Sequence, residues 1–338
     1  METGGLLLRQ TGGGAAWMVH GVSDKSVQNI AIPANVGGKP IVEIATGAFR
    51  GCKRLETLVV PNSVACVGVG AFDGCVALKH VFCPTAALTS LPRKPLKMVK
   101  ITGGESIPVC AFERCEALQE VAVADGVQSI GAWAFACCVS LQSIAFPNSV
   151  KSIGERAFHR CHSLQSVALD GVKSIGDSAF AYCTSLAEIS LPAGLETLGE
   201  WALVGCSSLG SICVGEGNSS YASMDGNLYT NGGKTLLYYA VGKCEAAFIV
   251  PHGVVEIGAH AFEGCALESV VLPDSVQSIG AWAFHGCKRL KSVKFGVGLQ
   301  RIGDGAFNAC DALFGIELPE GISIGRWTFD GAKKMAVK

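Results

Sequence analysis

An α/β solenoid of stacked coils is the fold class this sequence predicts, and three observations predict it. The first is a marker phenylalanine, preceded by a small residue and followed three positions later by cysteine. It recurs at Phe49, Phe72, Phe112, Phe135, Phe158, Phe180, Leu203, Phe262, Phe284, Phe307 and Phe329, in steps of 22 or 23 residues apart from two longer ones. A fixed period in this range belongs to units that cannot bury their apolar faces alone and do so by stacking. The second is an alternating phrase, Leu-x-x-Val-x-Leu or its variant Leu-x-x-Leu-x-Val at residues 55–60, which reads as a short strand with its apolar members inward. The third is Gly-x-x-Ala-Phe-x-x-Cys, which reads as one or two helical turns on the other side of the coil.

Taken in order, residues 1–26 form a capping hairpin: Leu6-Leu7-Leu8-Arg9, a turn through Gly12-Gly13-Gly14, then Trp17-Met18-Val19. The first coil of a solenoid has one bare apolar face, so a divergent cap is required, and Trp17 is suited to cover it. The array occupies residues 27–338 and opens with Val27, Ile30, Ile32, Pro33 and Val36. Prolines such as Pro61, Pro147, Pro192, Pro273 and Pro319 close the strand phrases, having no N–H to give a ladder. A second extended piece, as at 150–153, leads to a corner glycine before the helical turn. Two insertions break the period. At about 84–106, a loop with Pro92, Arg93, Lys94 and Pro95 precedes a strand (Leu96, Val99, Ile101) that lacks its helical turn. At about 215–245, residues 228–230 and 235–239 read as a hairpin around Asn231-Gly232-Gly233-Lys234.

Composition narrows the function classes. Apolar residues make up 49% and charged residues 16%, which is a well-packed chain. A net charge of −1 argues against nucleic acid as partner. No apolar run reaches the ~18 residues that a membrane span needs, and residues 1–10 lack the form of a signal peptide. Ten of the sixteen cysteines share one repeat position. They are expected as reduced core thiols in a ladder, since parallel side-chain directions oppose bridging.

No active site, metal or cofactor emerges. Lys234-Thr235 after Gly232-Gly233 has the flavour of a phosphate loop, but leucine at 228 replaces its first glycine, and a hairpin turn explains the segment. Cys161 lies between His159 and His162, yet zinc needs four converging ligands. The neighbouring cysteines are committed inward, and His159 is expected to face solvent. No positioned base accompanies any cysteine, and no paired carboxylates recur. Asn218-Ser219-Ser220 fits the glycosylation pattern. Arg93, Lys94, Lys97 and Lys100 read as a solvated basic loop, with an anion patch as the alternative. Trp133, Trp201, Trp282 and Trp327 share one position before the Ala-Phe pair, each expected to lie half covered over the next coil, with exposed anchors as the alternative.

What remains is the strand face. Positions flanking the inward residues project from the sheet expected to be concave, where solenoids bind partners. The predicted partner-binding residues are Val59, His80, Phe82, Gln119, Glu120, Gln142, Ser143, Gln165, Ser166, Glu188 and Ser190. The middle strands are small and neutral, a track that an extended chain could approach closely. Val59 and Phe82 make the apolar end the better anchor.

These phrases resemble the BspA-like branch of the leucine-rich repeat family, named for a bacterial surface antigen. The Leu-x-x-Leu-x-Leu-Pro, Ile-Gly and Ala-Phe-x-x-Cys elements stand at 141–161 and 267–287. Ile30-Ala31-Ile32-Pro33 with Gly38-Lys39-Pro40-Ile41 is similar to family starts, as Asp225-Gly226-Asn227-Leu228-Tyr229 is to a family insertion. The resemblance implies a curved, right-handed α/β solenoid with a protein-binding or adhesive role, often at a cell surface. A cytoplasmic site is the alternative where no leader or anchor is read. The expectation is therefore a monomeric, non-catalytic module for a protein or glycan partner, inserted in no membrane. An enzyme using residues 215–245, or a purely structural segment of a surface assembly, stands as the alternative.

Overall fold

The computed structural model describes residues 1–332 and resolves into two compact units, Met1–Ala179 and Phe180–Lys338. In the first unit, strands Glu2–Thr3, Leu6–Gln10 and Trp17–Val22 pair antiparallel, with a short 3-10 turn at Gly12–Gly14. Trp17–Val22 then pairs parallel with Lys39–Ile44, so the last strand of the hairpin is also the first rung of the stack. Leu6, Leu8 and Val19 are buried and do most of the covering. Trp17 is half-buried, its indole N–H donating to the Val36 carbonyl at 2.8 Å.

Two parallel ladders follow. One runs through Asn29–Ala31, Thr57–Val59, His80–Cys83, Met98–Ile101, Glu120–Val123, Ser143–Ala145 and Ser166–Ala168. The other joins the Ser-Ile pairs Ser106–Ile107, Ser129–Ile130, Ser152–Ile153 and Ser174–Ile175. The inward residues Leu58, Val81, Val99, Val121 and Ile144 are buried, as the alternation requires.

The third side of the coil corrects the expectation of helical turns. Among the described residues the only helical pieces are the 3-10 turns Gly12–Gly14 and Thr85–Ser90. Gly-x-x-Ala-Phe-x-x-Cys is instead a leg of linked tight turns. The N–H groups of Ala134, Ala136 and Cys138 close on carbonyls three residues back at 3.3, 3.1 and 3.1 Å. Those of Trp133, Phe135 and Cys137 donate sideways to Glu155, Ala157 and His159 of the next coil at 2.9, 2.8 and 2.8 Å. Trp133 and Cys137 sit at φ 59° and 60°, and the same two positions are left-handed at Arg156 and Arg160, and at Gly70 and Gly74. A left-handed residue every fourth position interrupts helical bonding and turns alternate N–H groups outward. Each such non-glycine residue costs about 1–2 kcal/mol. Three lateral bonds at about 0.5–1.5 kcal/mol each, with ring burial of about 1.5–3 kcal/mol, outweigh that cost.

The marker rings stack wherever regular coils follow one another. Phe112–Phe135 and Phe135–Phe158 lie 5.1 and 5.0 Å apart with planes 14° and 8° from parallel, all three fully buried. The cysteines pack beside them as free thiols, Cys138 donating to the Phe112 carbonyl at 3.1 Å and Cys161 to that of Phe135 at 3.1 Å. The corner glycine is dictated by space: a Cβ on Gly154 would stand 2.6 Å from the Ala132 nitrogen. In the first insertion, Met98–Ile101 enters the ladder as read from the sequence, and the Thr85–Ser90 turn packs between Cys66–Val67 and Ser106–Ile107. The expected solvated loop is a correction at one residue. Arg93 donates to the Glu113 carbonyl at 3.2 Å and the Cys110 carbonyl at 3.0 Å. Carbonyls at the Glu113 position elsewhere accept from the preceding leg, which the insertion lacks, so the guanidinium takes over that donor role.

The second unit repeats the coil. Glu188–Leu191 pairs with Ser211–Val214, and Ala247–Ile249, Ser269–Val271 and Ser292–Lys294 form a further parallel ladder. The insertion is a three-stranded meander, Tyr221–Met224, Asn227–Thr230 and Thr235–Tyr238, rather than one hairpin. Its added turn is Asp225-Gly226, at φ 49° and 70°, the paired left-handed geometry that Asp-Gly favours. Thr235–Tyr238 joins Glu256–Ile257 in parallel, which returns the chain to the coil pattern. Gly232-Gly233 is the second hairpin's turn, with the Gly233 N–H on the Thr230 carbonyl at 2.9 Å.

Candidate functional site: the strand face and a corner cavity

In the first unit the predicted face is brought together in register. Thr57, His80, Met98 and Glu120 are successive partners, as are Val59, Phe82, Lys100 and Ala122. Ser143 faces Ser166, and Ala145 faces Ala168. Adjacent members are separated by one strand spacing, roughly 4.8 Å. Gln119, Glu120, Gln142, Ser143, Gln165 and Ser166 are exposed, while His80 and Phe82 are half-buried. Val59 is 36% exposed beside Phe82, so the apolar end is a real surface feature. Met98 and Lys100 belong to the same columns and were missed. Their strand is visible in the sequence, but it carries no marker phenylalanine to place it in register. In the second unit Glu188 and Ser190 are exposed and partner Ser211 and Cys213.

A different feature arises where the meander rejoins the coil. The Gly258 N–H meets the Leu236 carbonyl at 2.8 Å, and the Tyr239 N–H meets the Ala261 carbonyl at 2.8 Å, both standard contacts of the repeat. Between them this coil has only Leu237 and Tyr238, where other coils place four residues. Tyr239 fills the phenylalanine slot, stacked on Phe262 at 5.1 Å and 25°. The shortcut leaves a cavity of about 630 Å³, lined by Glu200, Trp201, Tyr221, Tyr238, His260 and Trp282 among others. Tyr221 Oη accepts the Leu198 N–H at 2.7 Å. Burial pushes the Tyr238 phenol pKa up. Trp201 meets His260 edge-on at 5.8 Å, and the His260 Nδ1 pairs with Glu263 at 2.5 Å.

A family model described as the BspA type leucine rich repeat region matches six copies over residues 23–100, 105–224 and 243–336. The chain belongs to that family. Bacterial leucine-rich repeat proteins of known structure carry the same fold. A leucine rich cell surface protein from Faecalibacterium prausnitzii is 29% identical at a TM-score of 0.67, covering 95% of this chain and 83% of its own. The pneumococcal vaccine antigen PcpA matches at 21% identity and a TM-score of 0.61, over 96% of this chain and 77% of its own. A leucine-rich repeat protein from Bacteroides ovatus matches at 22% and 0.58, over 98% and 89%. No functionally curated protein matches the chain.

Within this BspA-type frame, other sequence candidates resolve into structural roles. Asn218, the apparent glycosylation acceptor, is 8% exposed and fully engaged. Its Nδ2 donates to the carbonyls of Pro192, Ala193 and Leu195 at 3.1, 3.1 and 2.9 Å, and its Oδ1 accepts from Ser220 and Tyr221 at 2.8 and 2.7 Å. A glycan on Nδ2 is incompatible with this packing. His159 is half-buried against Trp133, 6.1 Å between ring centres, and not the solvent-facing residue expected. Trp133 carries the Arg156 guanidinium 4.8 Å over its ring, and the Trp282 ring lies where a Cβ of Gly305 would be, 2.5 Å away. These two are half covered by the next coil, whereas Trp201 and Trp327 are 43% and 57% exposed. Among the described residues no group of three or more His, Cys, Asp or Glu side chains is arranged to hold a metal ion.

Proposed function

We propose that this chain is a non-catalytic interaction or adhesion module whose strand face engages a protein or glycan partner. The observation that carries the reading is the register of the first unit's exposed columns. Ala122, Ser143, Ala145, Ser166 and Ala168 are short side chains that stand one strand apart on a parallel ladder. Such a surface admits an extended chain closely, while Val59, Phe82 and Met98 supply apolar contact at one end. Membership of a family with a cell surface protein among its structural relatives supports the same direction.

The test is capture of partners on immobilised chain with Ser143→Tyr and Ser166→Tyr as controls. Both positions are exposed, so the melting temperature is expected to hold while capture is lost. A partner retained undiminished by both variants would exclude the central track.

A further inference from the structure

We infer that the corner cavity of the second unit is a binding site for a pyranose ring of a glycan. It lies between the Ser-Ile ladder and the turn leg, off the strand face, so it stands apart from the interaction surface proposed above. Its volume of about 630 Å³ falls within the range of roughly 300–1,000 Å³ typical of small-molecule sites, with space for one or two sugar rings.

The lining chemistry selects the class of ligand. Trp201 brings exposed indole surface to the cavity from the preceding leg, and Trp282 lines it from a later leg. Flat aromatic surface suits the apolar C–H face of a pyranose. Tyr221 and Tyr238 line the same cavity, and the Tyr221 oxygen already accepts the Leu198 N–H. A phenol has one proton to donate, so the Tyr221 hydroxyl is set to act as a donor toward a ligand oxygen. The Glu200 carboxylate in the same lining can accept from ligand hydroxyls, whereas a cationic ligand would leave the phenol donor unused. An apolar ligand would strand the phenol proton. A ring that carries hydroxyl oxygens at its rim and carbon on its faces satisfies both kinds of wall.

The site is built and not incidental, because the shortcut sets Leu237 at the glycine-corner register beside Gly258 and drops the two residues that complete this corner in other coils.

The experiment is saturation-transfer NMR on the full chain with methyl pyranosides of glucose, galactose, mannose and N-acetylglucosamine, and trimethyl-lysine as a cationic probe. Transfer to at least one pyranoside is expected. Trp201→Gly removes the exposed indole and suits a backbone at φ 56°, and it should weaken that binding by about tenfold or more. Ser166→Tyr should leave it unchanged. If Trp201→Gly lowers the melting temperature, Tyr221→Phe, which keeps the ring, carries the same comparison. Absence of transfer to every pyranoside, binding indifferent to these variants, or binding of trimethyl-lysine in their place would overturn the inference.

Discussion

Replacing Asn218 with alanine isolates what fastens the meander to the coil before it. The side chain has two amide hydrogens and two carbonyl lone pairs, and all are engaged, with three carbonyls sharing the hydrogens and two backbone N–H groups taking the oxygen. With four net contributions of about 1 kcal/mol and the buried Leu195 carbonyl left bare, the expected loss is about 3–5 kcal/mol. A repeat array opens locally, so the readout is amide hydrogen exchange. The Ser220 and Tyr221 amides should exchange on the order of a hundredfold faster, while those of Ile144 and Val167 in the first unit keep their rates. Asn218→Asp preserves the shape and the two accepted bonds but turns an ionised oxygen toward three carbonyls. At neutral pH this variant should therefore be less stable than the wild type. Wild-type exchange at Ser220 and Tyr221 in Asn218→Ala would refute the reasoning and hand the fastening role to the Tyr221 hydroxyl.

Two further predictions concern the coil itself. Ala309 sits at φ 56°, where Gly205, Gly264 and Gly286 occupy the same repeat position. Ala309→Gly should raise stability by about 0.5–1 kcal/mol in a urea melt, whereas Gly154→Ala, whose methyl would meet backbone, should cost several times that. The thiol ladder makes stability pH-sensitive. Burial pushes the thiols of Cys75, Cys83, Cys115 and Cys206 up from the ordinary thiol range to about 12. Protons are then kept by the folded state and lost by the unfolded one, so the urea midpoint should fall as pH rises from 9 toward 12. A midpoint unchanged at alkaline pH would contradict the ladder's burial. Under native conditions a thiol reagent should label the exposed Cys66, Cys213 and Cys244 first.

The period, the inward phenylalanines, the cysteine column and the strand register were legible because each is a repeated side-chain requirement. The turn leg was misread because its left-handed sites are filled by Trp133, Cys137, Arg156 and Arg160, which send no glycine signal in those coils. Coils with Gly70 and Gly74, or Gly47 and Gly51, do carry it, two glycines four apart. Tyr239 was passed over because the period was followed through phenylalanine alone, although it stands 23 residues before Phe262. Asn218 matched a modification pattern, and only its burial reveals a clamp. The cavity could not be read at all, since it depends on how two missing residues shorten a corner.

The sideways bonding of the turn legs gives the stack a direction. Each leg offers hydrogens toward the following coil and oxygens toward the preceding one, so whole coils can be duplicated or deleted and every new seam still matches. Part of a coil cannot be inserted on those terms. Where the leg is absent ahead of Glu113, hydrogens are lacking and an arginine, all donor, stands in. Where the regular pattern breaks after Leu198, an oxygen is lacking and the Tyr221 hydroxyl stands in. Such seams are where a lineage of these proteins can acquire side chains that the repeat itself does not call for.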